Sequence, residues 1–178
     1  MALILNVDIQ PEYSKNISFM REWVRYVNGN SNIFLYNGES LGMIDWGDYA
    51  AWLLDWGVKE SVLDRSKFFD KGYAFFRNWM DSDMPVDDLK RVIKFMYQNK
   101  IYDSRDLSDE DYKFLEIDAE ANYIKNDCIF IPDVMPYLDD IRDTMTVVGG
   151  GCNECLLEVV LCLEALNKKY EINKKFVY

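Results

Sequence analysis

The sequence predicts an α/β fold, a three-layer sandwich around a mostly parallel sheet. Two observations carry this. Continuous apolar runs at both ends of the chain, ALILNVDI at 2–9 and TVV at 146–148, read as strands buried on both faces rather than as half-exposed alternating strands. Between and after them, apolar residues recur at helical spacing, so that strand and helix alternate as they do in crossover units.

The elements follow in order. After the strand at 2–9, residues 14–28 place Ile17, Met20, Trp23, Val24 and Val27 on one helical face, with Ser14 as the expected N-cap and Asn28-Gly29 as the stop. IFLY at 33–36 is the next strand. From about 45 to 125 the spacing is mainly helical and reads as an insertion within a single domain spanning 1–178. Its stripes are Tyr49, Trp52, Leu53 and Trp56, then Phe68, Phe69, Tyr73, Phe76, Trp79 and Met80. Pro85 opens a helix at 86–99 with Leu89, Val92, Ile93 and Met96 inward, DSRDLSDED at 103–111 is a charged loop, and 112–125 is a further helix. CIFI at 128–131 is then a strand, 132–143 a short helix, 145–149 a strand, 153–166 an amphipathic helix and 170–177 the last strand.

Composition narrows the chemistry. The chain has 178 residues and a net charge of −11, and its residues include no histidine. The charge repels phosphate backbones, which argues against nucleic acid as a partner. The missing imidazoles remove His-ligated metals, Ser-His-Asp and Cys-His triads. Catalysis would fall to carboxylates, lysines, thiols, tyrosines or backbone amides. The opening MALILNVDIQ has no basic lead, and no apolar run approaches the roughly 20 residues that span a bilayer, so neither a signal peptide nor a membrane partner is expected. Three of the four cysteines, Cys152, Cys155 and Cys162, crowd into a short stretch with Cys128 apart, which fits a reduced cytoplasmic chain better than a disulfide framework.

The most specific feature is TVVGGGCNEC at 146–155. A buried strand runs into three glycines, and Cys155 begins the next helix, where amide N–H groups and the helix dipole favour a thiolate. The turn at Gly150, Gly151, Cys152, Asn153 and Glu154 could hold an oxyanion or ligand. Asp8 ends the first strand in apolar company, where a carboxylate is costly without a partner. Strand ends of a parallel sheet converge on one crevice, so Asp8 can stand beside Cys155 as its base.

These residues resemble the isochorismatase-like cysteine hydrolases, the superfamily that includes nicotinamidases. VDIQ, with Asp8 and Gln10, is similar to the end of their first strand, and the step from Gly149 to Cys155 has the spacing of their nucleophile turn. The resemblance covers the two ends of the chain and not its middle. It implies a hydrolase acting on a small amide or related carbonyl substrate without a cofactor, a catalytic lysine for which Lys113 and Lys125 are both candidates, and a homodimer. The Asp/His metal cluster of that family has no counterpart here.

Two other readings compete. Asp8, Glu39, Asp103, Asp106 and Asp133 could form a carboxylate cluster for Mg²⁺ or Mn²⁺ in a PIN-like phosphodiesterase. Alternatively the fold is kept as a non-catalytic binding module. A redox role for the Cys152-Asn153-Glu154-Cys155 motif is weaker, because thioredoxin-like sites follow an early strand.

Overall fold

The computed structural model describes residues 2–11, 16–38, 46–71, 76, 79–80, 84–118 and 129–178. The fold is α/β. Five parallel strands, β1 (Leu3–Val7), β2 (Ser31–Tyr36), β3 (Lys67–Asp70), β4 (Met145–Gly149) and β5 (Tyr170–Ile172), form one sheet in the order β3-β2-β1-β4-β5. Among the described residues the helices include α1 (Ile17–Asn28), α2 (Trp46–Asp55), α3 (Glu60–Leu63), α4 (Val86–Gln98), α5 (Asp109–Phe114), α6 (Val134–Asp140) and α7 (Cys155–Ala165). Among the described residues no helix is long and apolar enough to cross a membrane.

The chain forms two compact units. The first comprises Met1–Tyr73, Arg142–Leu157 and Lys169–Tyr178, and holds the whole sheet; the second comprises Ala74–Ile141 and Glu158–Lys168. In the first unit β1 lies between β2 and β4, with Val7 opposite both Leu35 and Gly149. Strand order reverses at this point, between β1 and β4. Their carboxyl ends therefore diverge into the crevice where parallel α/β sheets bind ligands.

The core of the first unit explains the polar residues that interrupt its strands. Ile4, Phe34, Tyr36 and Val148 pack against Trp23 and Val27 of α1 and against Tyr49 and Leu53 of α2. Asn6, fully buried in β1, accepts from the Trp23 indole Nε1 at 3.0 Å and donates to the Ile33 carbonyl at 3.1 Å. Asn32 donates to the Val27 carbonyl at 3.0 Å. Each buried amide is thus satisfied, which removes the penalty of placing it in a strand.

Several boundaries differ from the sequence reading. α1 starts at Ile17 because Asn16 caps it, accepting from the amides of Ser18 and Phe19; Ser14 lies outside the described residues. Ile17 itself is 58% exposed rather than inward. Phe68 and Phe69 belong to β3, an edge strand paired with β2, not to a helical stripe. Aromatic side chains suit a pleated surface, and four residues are too few for their period to declare itself. Phe76 and Trp79 of the same aromatic stretch are fully buried.

The described part of the strand expected at 128–131, residues 129–131, is not a strand of the sheet. Cys128 lies outside the described residues, and Phe130 makes only an isolated antiparallel bridge with Asp103 in the second unit. The charged run at 103–111 is also not all loop. Ser108 and Asp111 form a reciprocal capping box that starts α5. The described part of the helix expected at 112–125 ends at Phe114, and 119–128 lie outside the described residues. β5 is shorter than 170–177, giving way to a 3-10 turn at Lys174–Phe176 whose Phe176 is buried against Phe19 and Tyr26.

Candidate functional site

Asp8 is the first residue beyond β1 and carries a φ of 47°, in the left-handed region that non-glycine residues seldom occupy. Its N–H donates to the Leu35 carbonyl at 2.9 Å, so the strain sits in a backbone tied to the neighbouring strand. The twist turns its side chain into the interior, where the residue is 2% exposed.

Lys71 is the first residue beyond β3. Its N–H donates to the Tyr36 carbonyl at 2.9 Å, extending the ladder past the end of the strand. β3 and β1 are separated by β2, a span of roughly 10 Å at about 4.8 Å per strand. The lysine and aspartate side chains together bridge that distance, and the Lys71 Nζ meets Asp8 Oδ2 at 3.1 Å with both side chains essentially buried. The Cys155 thiol, on the first residue of α7, hydrogen-bonds the same carboxylate. Among the described residues no aligned hydrogen-bond donor reaches the carboxylate's Oδ1.

These contacts set the protonation of Asp8. Burial raises its carboxyl above the ordinary range; the Lys71 ammonium and the Cys155 thiol pull it down without cancelling the burial. The result is a carboxylate more basic than an exposed aspartate, placed against a thiol. Cys162 is fully buried, and burial, reinforced by Glu158, pushes its thiol far up.

The glycine turn has a clear steric origin. Gly149 has φ 84°, and a Cβ there would lie 2.1 Å from the Val7 carbonyl oxygen. Gly150 has φ 67°, and its Cβ would lie 2.8 Å from the Leu156 amide nitrogen. These two allow β4 to pass close to β1 and then fold back under the start of α7. The amides of Glu154 and Leu156 both donate to the Gly151 carbonyl, at 3.0 and 3.3 Å. Those two are therefore spent, and an oxyanion would fall to other amides of the turn.

Asp8, Gly150, Gly151, Glu154, Cys155 and Tyr178 line a cavity of about 280 Å³. Cys152 and Asn153 sit exposed on the same turn. Gln10 is buried and serves the backbone, its Oε1 accepting from the Asn37 amide at 3.0 Å. A larger cavity of about 440 Å³ lies by Trp46, Leu63 and Lys67, at the amino end of β3, away from the strand ends that gather the reactive groups.

Among the described residues, the lysine that contacts Asp8 is neither of the two candidates. Lys113 is exposed on α5 of the second unit, and Lys125 lies outside the described residues. The lysine that meets Asp8 is Lys71, which reading 67–71 as helix concealed. Had KFFD been taken as a strand, the rule that places sites at strand carboxyl ends would have pointed to it. Tyr178 was missed for a different reason, since nothing local in the sequence marks its return to the site.

The residues of the alternative carboxylate cluster are distributed as follows. Asp103, Asp106 and Asp133 belong to the second unit and Asp8 to the first, and Glu39 lies outside the described residues. Asp103 is engaged by the Arg105 guanidinium, which holds its carboxyl below the ordinary range. Asp8 is held by a lysine. Among the described residues no three Asp, Glu, Cys or His side chains converge as metal ligands.

Comparison of the chain with protein-family models, with curated proteins and with solved structures finds no match.

Proposed function

We propose that the protein is a cysteine hydrolase of small amides or related carbonyl compounds, with Asp8, Lys71 and Cys155 as its reacting group. The observation that carries this is the contact of the buried Asp8 carboxylate with both the buried Lys71 ammonium and the half-buried Cys155 thiol, beside a cavity at the strand ends.

Asp8 accepts the thiol proton as the Cys155 sulfur attacks the substrate's carbonyl carbon. The carbonyl π pair moves to oxygen, where amides of the glycine turn and the Lys71 charge oppose the developing negative charge. Collapse of the oxyanion breaks the carbon–nitrogen bond, and the nitrogen leaves with the proton held by Asp8. Water then attacks the thioester, giving a proton to Asp8. The carboxylic acid departs, and the sulfur recovers that proton. Lys71 favours the ionised form of Asp8 between steps, against the effect of burial. The three cysteines among the described residues are free thiols, which suits a reducing cytoplasm as the place of this chemistry.

The test is native labelling with iodoacetamide at neutral pH, with the modified peptide identified by mass. Cys155 is expected to react well ahead of Cys162, which is buried two turns further along α7. Ammonia release from a panel of primary amides in the presence of EDTA is expected to fall roughly 10³-fold or more in Cys155→Ser. A Cys155 that stays unreactive even after the fold is partly loosened would sink the hydrolase. Activity lost to EDTA and restored by Mg²⁺ or Mn²⁺ would instead favour a carboxylate metal site.

A further inference from the structure

We infer that Tyr178 is the positioning residue of this site, holding Asp8 in the conformation that aims its carboxylate at Cys155 and Lys71. The inference deepens the hydrolase reading, since it assigns a role within the same site.

The chain reaches the site by a specific route. β5 ends at Ile172, and the Asn173 amide donates to the Val147 carbonyl at 3.0 Å. Asn173 caps the following 3-10 turn, and Phe176 is buried beside Phe19, at 5.8 Å between ring centroids, and Tyr26, at 5.2 Å. With that anchor set, Tyr178 crosses back from the edge strand to the switch point between β1 and β4. Its N–H donates to the Gly150 carbonyl at 3.4 Å, and its ring lies 5.8 Å from Phe19.

The phenol O–H then donates to the backbone carbonyl of Asp8. That carbonyl belongs to the left-handed residue just past the last ladder position of β1, beyond the register pairs with β2 and β4. A strained backbone persists only where its surroundings over-determine it. Here one side is fixed by the Asp8 amide on Leu35 and the other by Tyr178. The same ring lines the cavity. Tyr178 thus joins the two strand ends that carry the site, Asp8 just beyond β1 and Gly150 just beyond β4.

Two roles are separable by substitution. Tyr178→Phe keeps the ring as a cavity wall and removes only the phenol donor. At 40% exposure the residue tolerates this change without loss of the fold, which thermal unfolding checks. The first readout is the ¹³C-carboxyl titration of Asp8 by NMR, which does not depend on thiol reactivity. Tyr178→Phe is expected to lower the proton affinity of Asp8 about three- to tenfold, the weight of one hydrogen bond, as the carboxylate relaxes toward water. The second readout is the pH profile of Cys155 alkylation by iodoacetamide in wild type, Tyr178→Phe, Asp8→Asn and the double variant. Tyr178→Phe is expected to move it in the same sense as Asp8→Asn, and the double variant to match Asp8→Asn alone. An Asp8 titration unchanged in Tyr178→Phe, or alkylation effects that simply add, would overturn the inference. A shifted Asp8 titration in a protein whose Cys155 never labels would retain it while removing the hydrolase.

Discussion

Lys71→Met is expected to destabilise the protein by about 3–5 kcal/mol at neutral pH, and adding Asp8→Asn is expected to restore most of that loss. The ammonium and the carboxylate lie 3.1 Å apart with almost no solvent contact. Deleting one partner leaves the other charge buried without compensation, whereas removing both leaves a neutral amide and an apolar side chain in the same space. The single variant has one escape, which is to protonate Asp8. Burial already raises that carboxyl in the wild type, and Lys71 is the strongest influence opposing the rise. Without Lys71 the folded-state value climbs further above the unfolded one, near 3.9. A carboxyl that binds its proton more tightly when folded contributes stability that is complete below the unfolded value. That stability disappears as pH rises through the folded value. The gap between Lys71→Met and wild type should therefore be small near pH 4 and widen toward neutrality. Urea unfolding at pH 4, 5, 6 and 7 measures it. A gap independent of pH, or a double variant no more stable than the single, would show that the pair is not electrostatically isolated.

The same pair shows what the sequence could and could not disclose about the site. Asp8 was legible because a carboxylate ending an apolar strand has few inexpensive explanations. Cys155 was legible because three glycines between a buried strand and a helix impose a geometry that places the next side chains at the helix start. Lys71 was not, because its meaning depends on β3. A four-residue edge strand rich in phenylalanine has the same apolar content as one turn of a buried helix, and the next residues continue the aromatic run. The cost of a buried Asp8 said that it needs a partner, and the lysine came only from the family resemblance.

The fold was legible where burial is strongest. β1, β2 and β4 occupy the middle of the sheet, and both faces of each are covered, so their composition alone separates them from surface segments. Errors gather where tertiary pairing decides. CIFI at 128–131 has the composition of a central strand, yet its described part pairs only through the Asp103–Phe130 bridge. Hydrophobic content reports that a segment is buried; it does not report against which partner. Ser108 and Asp111 illustrate the converse, where a local capping box overrides the reading of an acidic run as loop.

Gly149→Ala is expected to cost about 4 kcal/mol or more, near the total stability of an ordinary domain, and to leave little folded protein. Two penalties coincide at this residue. Its φ of 84° is disfavoured for any residue with a Cβ, and the added carbon would stand 2.1 Å from the Val7 carbonyl oxygen and 2.7 Å from Ile9 Cγ1. Val7 is the register partner of Gly149 in the centre of the sheet, so relief would require β1 and β4 to separate. Gly150→Ala should be milder for the fold but more informative for the site. Its Cβ would press at 2.8 Å on the Leu156 amide, so it would displace the start of α7 and with it the Cys155 sulfur from Asp8. Gly151→Ala is the control. It needs no left-handed backbone, and its Cβ would meet only the exposed Glu154 side chain, at 3.4 Å, so the cost should stay within about 0.5 kcal/mol. Urea midpoints should fall in the order Gly151→Ala, Gly150→Ala, Gly149→Ala. Cys155 alkylation should change most, among variants that still fold, in Gly150→Ala. A Gly149→Ala protein as stable as Gly151→Ala would mean that β1 and β4 do not meet in the register that brings Asp8 to the cysteine turn, and the site built on that register would fall with it.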